Sequence, residues 1–465
     1  MKKLLNTDDI INSIGKIADE ENTEAYVVGG YIRNELLGIE NVDIDFLVIG
    51  NGIEFAKKVA EKLKSSALLE FPEFGTASIW YEGLKIEFVS ARKEVYEPQS
   101  RKPKVSEGGI YEDIKRRDFT INTLARKINA KSKNEIIDLF DGIEDLRNKI
   151  VRTPIDPNIS FGDDPLRMLR AVRFTSQFGF KIEKSTLNAI RLMKERINIV
   201  SIERISDEIM KILSLKKPSV GFKLLKHIGI LKLILPEVDD LSGVENQEGY
   251  LHKDVFFHTL KVVDNVAKDS ENLNLRFTAL MHDIAKPLTK KFLSESGWTF
   301  YGHDELGAKM VVDIVKKLKL PNRLGEYARK LIRMHLRPIF LSEEQVTDSA
   351  IRRFIVEAGD NFEDLMILCR ADITSGNIKK VMAHLQNFNR VIERVKEVEE
   401  KDKLREFKSP VDGFEIMKVC NIKPGKKVGI LKKMIEEAIL EGIIPNDHDK
   451  AYEYLLKIKD GVLLE

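Results

Sequence analysis

The apolar residues of this chain change their period part-way along it, and that change narrows the folds open to it. Up to about residue 150, strand-like runs ("AYVVGG", "DIDFLVI", "TASIWYE", "LKIEFVSA") alternate with helical spacing in "GIEFAKKVAEKLKSS". This predicts a small α/β or α+β domain. From Asp163 onward, apolar residues recur at three- and four-residue steps, as in "DPLRMLRAVRFTSQFGF", "SIERISDEIMKILS", "KPSVGFKLLKHIGILKLILPE" and "DVFFHTLKVVDNVAKD". That part is expected to be helical, with Asp163 or Asp164 capping a helix that has Pro165 in its first turn. Between residues 96 and 113, "YEPQSRKPKVSEGGIYED" has no period and reads as a long loop.

At 465 residues the chain is too long for one ordinary core, so two to four domains are expected. A hydrophobic share of 43% with only 14 prolines and 28 glycines argues for folded domains without long disordered linkers. The net charge of +2 hides 76 basic against 74 acidic side chains, so charge alone neither indicates nor excludes a nucleic-acid partner. The start, "MKKLLNTDDIINSIGKIADE", is basic but lacks the apolar core of a signal peptide and reads as an amphipathic helix. No window approaches 18 uncharged apolar residues, so no membrane span is expected. Cys369 and Cys420 fit no metal or redox spacing, which suggests a reducing cytoplasm.

Inside the apolar run "NVDIDFLVIG", Asp43 and Asp45 are one residue apart and project from the same face of a strand. Two converging carboxylates repel unless a cation sits between them, and Mg²⁺ is the usual solution in phosphoryl and nucleotidyl transfer. An exposed edge-strand face would give the same pattern. The neighbourhood favours the metal: "VVGGYIRNELLG" is a strand entering a helix through Gly29-Gly30, where free N–H groups can meet a phosphate. Arg33 lies on the first turn of that helix, within reach of a triphosphate, and Glu87 in "KIEFVSAR" can complete a carboxylate cluster.

The order Gly-Gly-x-x-Arg, D-x-D, "RRDFTIN" (residues 116–122) and "DDPLRMLRAVRF" (residues 163–174) resembles the class II tRNA nucleotidyltransferases, the CCA-adding enzymes that share their head with bacterial poly(A) polymerases. "ERISDEIMKIL" resembles that family's neck helix. The resemblance implies a mixed-sheet, polymerase β-like head over residues 1–150, neck and body helices over 151–245, and, with the histidine pattern below, an HD domain over 246–400 and an RNA-binding tail over 401–465. It implies that Asp43 and Asp45 hold Mg²⁺, that Gly30, Arg33 and Arg117 bind the nucleotide phosphates, and that Asp118 accepts from the ribose 2′-hydroxyl. The family usually has Arg-Asp after the glycines, and here it is Arg33-Asn34, so Asn34 stays outside the catalytic set. The loop segment "SRKPK" falls where the family has a mobile element and is expected to contact RNA or pyrophosphate.

Within the resemblance, Asp164 and Arg167 select the base. They are expected one helical turn apart on a shared face. Cytosine and adenine both present an exocyclic amine beside a ring-nitrogen acceptor, and a carboxylate with a guanidinium matches that order. Guanine and uracil present the reverse and would leave polar groups unpaired. Arg170 and Arg173 continue the helix at three-residue steps, toward phosphate or RNA.

Downstream, His258, His282-Asp283 and Asp372 lie on helical segments in an order that resembles the HD superfamily of metal-dependent phosphohydrolases. His303 and His335 extend the set toward the six-ligand, two-metal form. Imidazoles and carboxylates of this kind suit a divalent transition metal, with a bridging water as nucleophile. His227, His252, His384 and His448 fit no ligand pattern.

The expected activity is template-independent addition of CCA to tRNA 3′ ends from CTP and ATP, in the cytoplasm. An A-adding enzyme or poly(A) polymerase is the alternative with the same head. An HD phosphohydrolase with an RNA-binding head is the alternative of a different class.

Overall fold

The computed structural model describes residues 7–41, 43–95, 104–129, 135–243, 246–247, 250–251, 254–295, 297–341, 347–374, 378–402 and 409–464. It divides into two compact units, Met1–Leu215 with Val220–Ile234, and Lys216–Ser219 with Leu235–Glu465.

In the first unit, α1 (Thr7–Glu20) is amphipathic as expected and buries Ile10, Ile14 and Ile17 on one face. Then come β1 (Ala25–Val28), α2 (Gly30–Leu37), β2 (Asp43–Val48), α3 (Gly52–Leu63), β3 (Ala67–Phe71), β4 (Thr76–Tyr81), β5 (Leu84–Ser90), β6 (Arg92–Val95), β7 (Lys104–Glu107), α4 (Ile110–Lys115), β8 (Ala125–Lys127) and β9 (Ile136–Ile137). The main sheet has the order β3-β4-β5-β2-β1-β8-β9. The β2–β5 pair is parallel and its other pairs are antiparallel, so the sheet is mixed.

Alternation along β2 divides its side chains between two layers. Ile44, Phe46 and Val48 are fully buried. Phe46 stacks on Phe88 at 5.2 Å, and Phe55 of α3 meets Phe88 edge-on at 5.6 Å. Each such burial contributes roughly 2–3 kcal/mol. On the other face, Leu47 joins Tyr26, Val28 and Ile114 of α4 in a second core. Asp43 and Asp45 belong to that same face, toward the start of the strand. One half of the face is therefore anchored in apolar packing and the other half carries the two carboxylates.

The expected long loop over 96–113 is corrected in part. β6 and β7 pair antiparallel from Arg92↔Glu107 to Val95↔Lys104, and α4 begins at Ile110. Polar, non-alternating sequence hid the hairpin. Residues 96–103, which include most of "SRKPK", lie outside the described residues.

The first unit continues with α5 (Gly142–Asn148), β10 (Ile150–Val151), α6 (Pro157–Asp163), α7 (Leu166–Phe178), β11 (Lys181–Ile182), α8 (Lys184–Met193) and α9 (Ile202–Leu213). α7 packs on α9, and α6 on α8. The expected cap at residues 163–164 is also corrected. Asp163 ends α6, Asp164 is extended (φ −139°, ψ 100°), and Pro165 takes the cap position of α7. The Asp164 carboxylate still accepts from the Leu166 N–H at 3.2 Å.

The second unit is helical apart from short hairpins at Asn246–Gln247/Tyr250–Leu251 and Lys291–Leu293/Gly297–Thr299. Helices Val255–Asp269, Leu273–Met281, His303–Lys317, Asn322–Met334 and Phe362–Asp372 carry the histidine motif. Gly413–Cys420, Lys426–Leu440 and His448–Leu464 close around Ile416, Leu431, Ile435 and Leu455. Cys369 and Cys420 are free and buried. Among the described residues no helix is long and apolar enough to cross a membrane.

Candidate functional site

Strand register sets the acidic cluster of the first unit. Asp45 stands beside Glu87 and Asp43 beside Lys85 across the β2–β5 pair, so Asp43, Asp45 and Glu87 share one face. Lys85 Nζ reaches Glu87 at 3.1 Å. Burial, with Asp43 and Glu87 as neighbours, pushes the Asp45 carboxyl up to about 6. Repelling carboxylates with hard oxygen donors fit a divalent cation such as Mg²⁺.

The glycine turn is shaped around an arginine. Gly29 has φ +67°, and a Cβ there would lie 2.7 Å from Arg117 Nη1. Gly30 opens α2. Arg117 Nη2 donates to Asp113 at 3.1 Å, and Arg116 donates to the other oxygen of the same fully buried carboxylate. Buried Arg33 donates to Asn122 Oδ1 at 2.6 Å, and its Nε and Nη2 both donate to Asn34 Oδ1, at 3.1 and 2.7 Å. Asn34 thus keeps the acceptor role with no charge. Asp118 is buried, accepting from Phe119 N–H and Asn122 Nδ2 at 2.9 Å each, and from Arg170 Nε at 2.8 Å. Burial raises its pKa, but Arg170 and Asn122 outweigh that and hold it at about 2.

The expected base-reading pair is only partly joined. Arg167 and Asp164 line the same cleft of about 610 Å³ as Asp43, Asp45, Glu87 and Arg117. They do not share a helix face, because Asp164 precedes α7. Arg167 Nη1 donates to Ser160 Oγ at 2.8 Å and Nη2 to the Arg116 carbonyl at 2.5 Å. Asp164 pairs with Arg204 of α9 at 2.7 Å. Arg170 and Arg173 line the cleft as well, each held by a carboxylate: Arg170 by Asp118 at 2.6 Å and Arg173 by buried Glu208 at 2.7 Å.

Sequence reasoning missed Asp113, Asn122, Arg204 and Glu208. Only Glu208 had a readable signal, since it interrupts the apolar stripe Ile205, Ile209, Ile212 of α9. Asn122 and Arg204 are identified by contacts with distant segments, and Asp113 by its local pairing with Arg116 and Arg117.

In the second unit the six expected HD residues converge. His258 Nε2 lies 2.9 Å from Asp372 and 3.4 Å from Asp283; His282 Nε2 lies 3.3 Å from Asp283 and 3.4 Å from Asp372. His303 and His335 reach Asp283 at 3.5 and 4.0 Å. His258, His282 and Asp372 form one trio whose ligand atoms lie within 4.8 Å of one another, and Asp283, His303 and His335 form another. Nδ1 of His282, His303 and His335 meets the carbonyl of Ala279, Phe300 and Ile332, respectively, leaving Nε2 buried without a hydrogen-bond partner. Orphaned imidazole nitrogens beside an orphaned Asp283 Oδ1 fit transition-metal ligation. Burial opposes the charged form of His282, yet Asp283 and Asp372 lift its pKa to about 10; burial pushes His335 down to about 4.

Three of the other histidines lie outside these two clusters. His227 contacts Arg191, His448 contacts Glu415, and His384 is exposed. His252 lies outside the described residues.

Comparison with known proteins agrees with this layout. Residues 25–152 match the family model of the poly A polymerase head domain, residues 179–241 that of a probable RNA and SrmB-binding site of polymerase A, and residues 255–376 that of the HD domain. The Multifunctional CCA protein of Psychromonas ingrahamii is 30% identical over 368 residues, covering 75% of this chain and 84% of that protein. The A-adding tRNA nucleotidyltransferases of Geobacter sulfurreducens and Aquifex aeolicus are 37% and 43% identical over 232 and 175 residues. Those two matches span only 26% and 20% of the relatives' own lengths. Among solved structures, a CCA-adding enzyme in an apo form superposes with a TM-score of 0.65 at 24% identity, covering 98% of this chain and 96% of that one. A tRNA nucleotidyltransferase complexed with a primer tRNA and an incoming ATP analogue gives 0.57 at 25% identity, covering 82% and 99%.

The chain is a nucleotidyltransferase-fold protein with an appended HD domain. It belongs to the family of class II tRNA nucleotidyltransferases and bacterial poly(A) polymerases.

Proposed function

We propose that the chain adds CCA to tRNA 3′ ends, transferring CMP and then AMP from CTP and ATP with release of pyrophosphate. The observation that supports this best is the single cleft in which the acidic face of β2 and β5 meets Asp164, Arg167 and Arg204. Asp43 and Asp45, with Glu87 beside them, would hold Mg²⁺. When bound, that ion supplies charge that favours ionisation of the RNA 3′-hydroxyl and neutralises the departing pyrophosphate. Gly29 and Gly30 let phosphate approach the backbone, and Arg33 and Arg117, fixed by Asn122 and Asp113, bind phosphate oxygens. Asp118 orients the ribose. Asp164, with a guanidinium beside it, accepts the exocyclic amine common to cytosine and adenine. The 3′-oxygen attacks the α-phosphorus and the α–β phosphoanhydride bond breaks, so one pyrophosphate leaves per nucleotide added.

The division at residues 1–150, 151–245, 246–400 and 401–465 is part of this reading, with RNA bound along the tail. The decisive assay supplies tRNA lacking its last three nucleotides with labelled CTP or ATP and Mg²⁺. Two C followed by one A is the expected product, and incorporation of A alone would sink the proposal in favour of an A-adding enzyme. The names of the Geobacter and Aquifex relatives motivate that second reading.

The second unit is proposed to hold two divalent transition-metal ions at His258, His282, Asp372 and Asp283, His303, His335, a phosphohydrolase arrangement. Metal analysis of purified protein tests it, and His282→Ala is expected to lower the metal content.

A further inference from the structure

The base-reading carboxylate has a partner that the sequence motifs do not announce. Asp164 lies between α6 and α7 in extended backbone, where the Leu166 N–H that opens α7 reaches only Oδ1, at 3.2 Å. The contact to both oxygens comes from α9: Arg204 Nη2 donates to Oδ2 at 2.7 Å and Nη1 to Oδ1 at 3.3 Å. This is a two-pronged guanidinium–carboxylate contact, which sets the plane of the carboxylate as well as its position. Asp164 is 20% and Arg204 39% exposed at the side chain, and both line the cleft, so the pair is open to a ligand. Arg167 differs: it is 7% exposed, and both of its Nη atoms already donate to Ser160 and Arg116.

Resting on the proposed function, we propose that Arg204 is a specificity-determining residue, holding the Asp164 carboxylate in the plane that accepts the amine edge of C and A and rejects the carbonyl edge of U and G. A carboxylate without the fork can rotate about its last torsion, and the angular preference that separates the two edges is lost. Discrimination between bases rests on leaving the wrong base's polar groups unpaired, which requires a fixed partner.

The test compares Arg204→Gln and Arg204→Lys with the wild type, measuring kcat/KM for CTP, UTP, ATP and GTP on trimmed tRNA, and equilibrium binding of each nucleotide with Mg²⁺ in the absence of tRNA. Arg204→Gln is expected to reduce the CTP-over-UTP and ATP-over-GTP ratios at least tenfold, about 1.4 kcal/mol. Arg204→Lys, which keeps charge but not the fork, should fall between. Unchanged ratios, or an equal loss for all four nucleotides, would overturn the idea. Wild-type protein that binds nucleotides selectively but transfers nothing to tRNA refutes the proposed function instead, and the binding ratios still decide the role of Arg204.

Discussion

Asp45 is where the proposed metal site and stability oppose each other most directly. Its carboxyl is raised to about 6, against about 4 in an unfolded chain, chiefly by burial and then by Asp43 and Glu87. The folded state therefore binds this proton more tightly than the unfolded state does. The resulting destabilisation is absent below pH 4, grows as pH rises, and is complete above about pH 6. Asp45→Asn should accordingly stabilise the metal-free protein at pH 8, by an amount on the order of 2 kcal/mol, with no gain at pH 4. The same change should abolish nucleotide addition. Denaturant melts at both pH values check the first part, and a melt showing no pH-dependent gain would refute the electrostatic account. Gly29 obeys a different constraint: its positive φ strains any side chain, and a methyl group there would push the Arg117 guanidinium, 2.7 Å away, out of place. Gly29→Ala is expected to cost about 1–2 kcal/mol of stability and to raise KM for the nucleotide. Asp43, Asp45 and Gly29 were legible because each breaks a local rule of its own strand or turn. Arg204 breaks none, and only its placement against a residue 40 positions away gives it meaning.

At the level of elements, legibility followed periodicity. β1, β2, β4, β5 and α3 were readable because apolar residues mark which side of each faces a core. The hairpin of β6 and β7 was not, since its sequence is polar and unperiodic. The start of α7 was misplaced because an Asp-Asp-Pro string satisfies the rules for a cap in more than one register. α9 contributes more than packing, for Glu208 is buried and pairs with Arg173 of α7. Removing one member of a buried ion pair leaves the other uncompensated, typically at a cost of about 3–5 kcal/mol. Glu208→Ala should lose stability of that order in urea unfolding and weaken nucleotide binding as Arg173 swings free. Loss of neither would mean the pair is solvated in solution.

Across the whole molecule, two unlike sets of candidate metal-ligating side chains occupy separate compact units. Their separation was legible as two motif families, one before and one after residue 175. The HD pattern pointed to the six converging side chains but not to their supports, because the carbonyls of Ala279, Phe300 and Ile332 have no side-chain signature. The two chemistries should be separable by mutation. His282→Ala is expected to leave the rate of nucleotide addition within about twofold while removing any metal-dependent phosphohydrolase activity, and Asp43→Ala should do the opposite. Paired assays on each variant check this, and simultaneous loss of both activities would contradict it.

Those three carbonyls also decide how the HD site should fail. Each ring is steered by the peptide group three residues before it, so none relies on a neighbouring ligand for its aim. Damage to such a cluster is graded: a protein that loses one imidazole still presents the others in register, and successive replacements should lower metal uptake in steps.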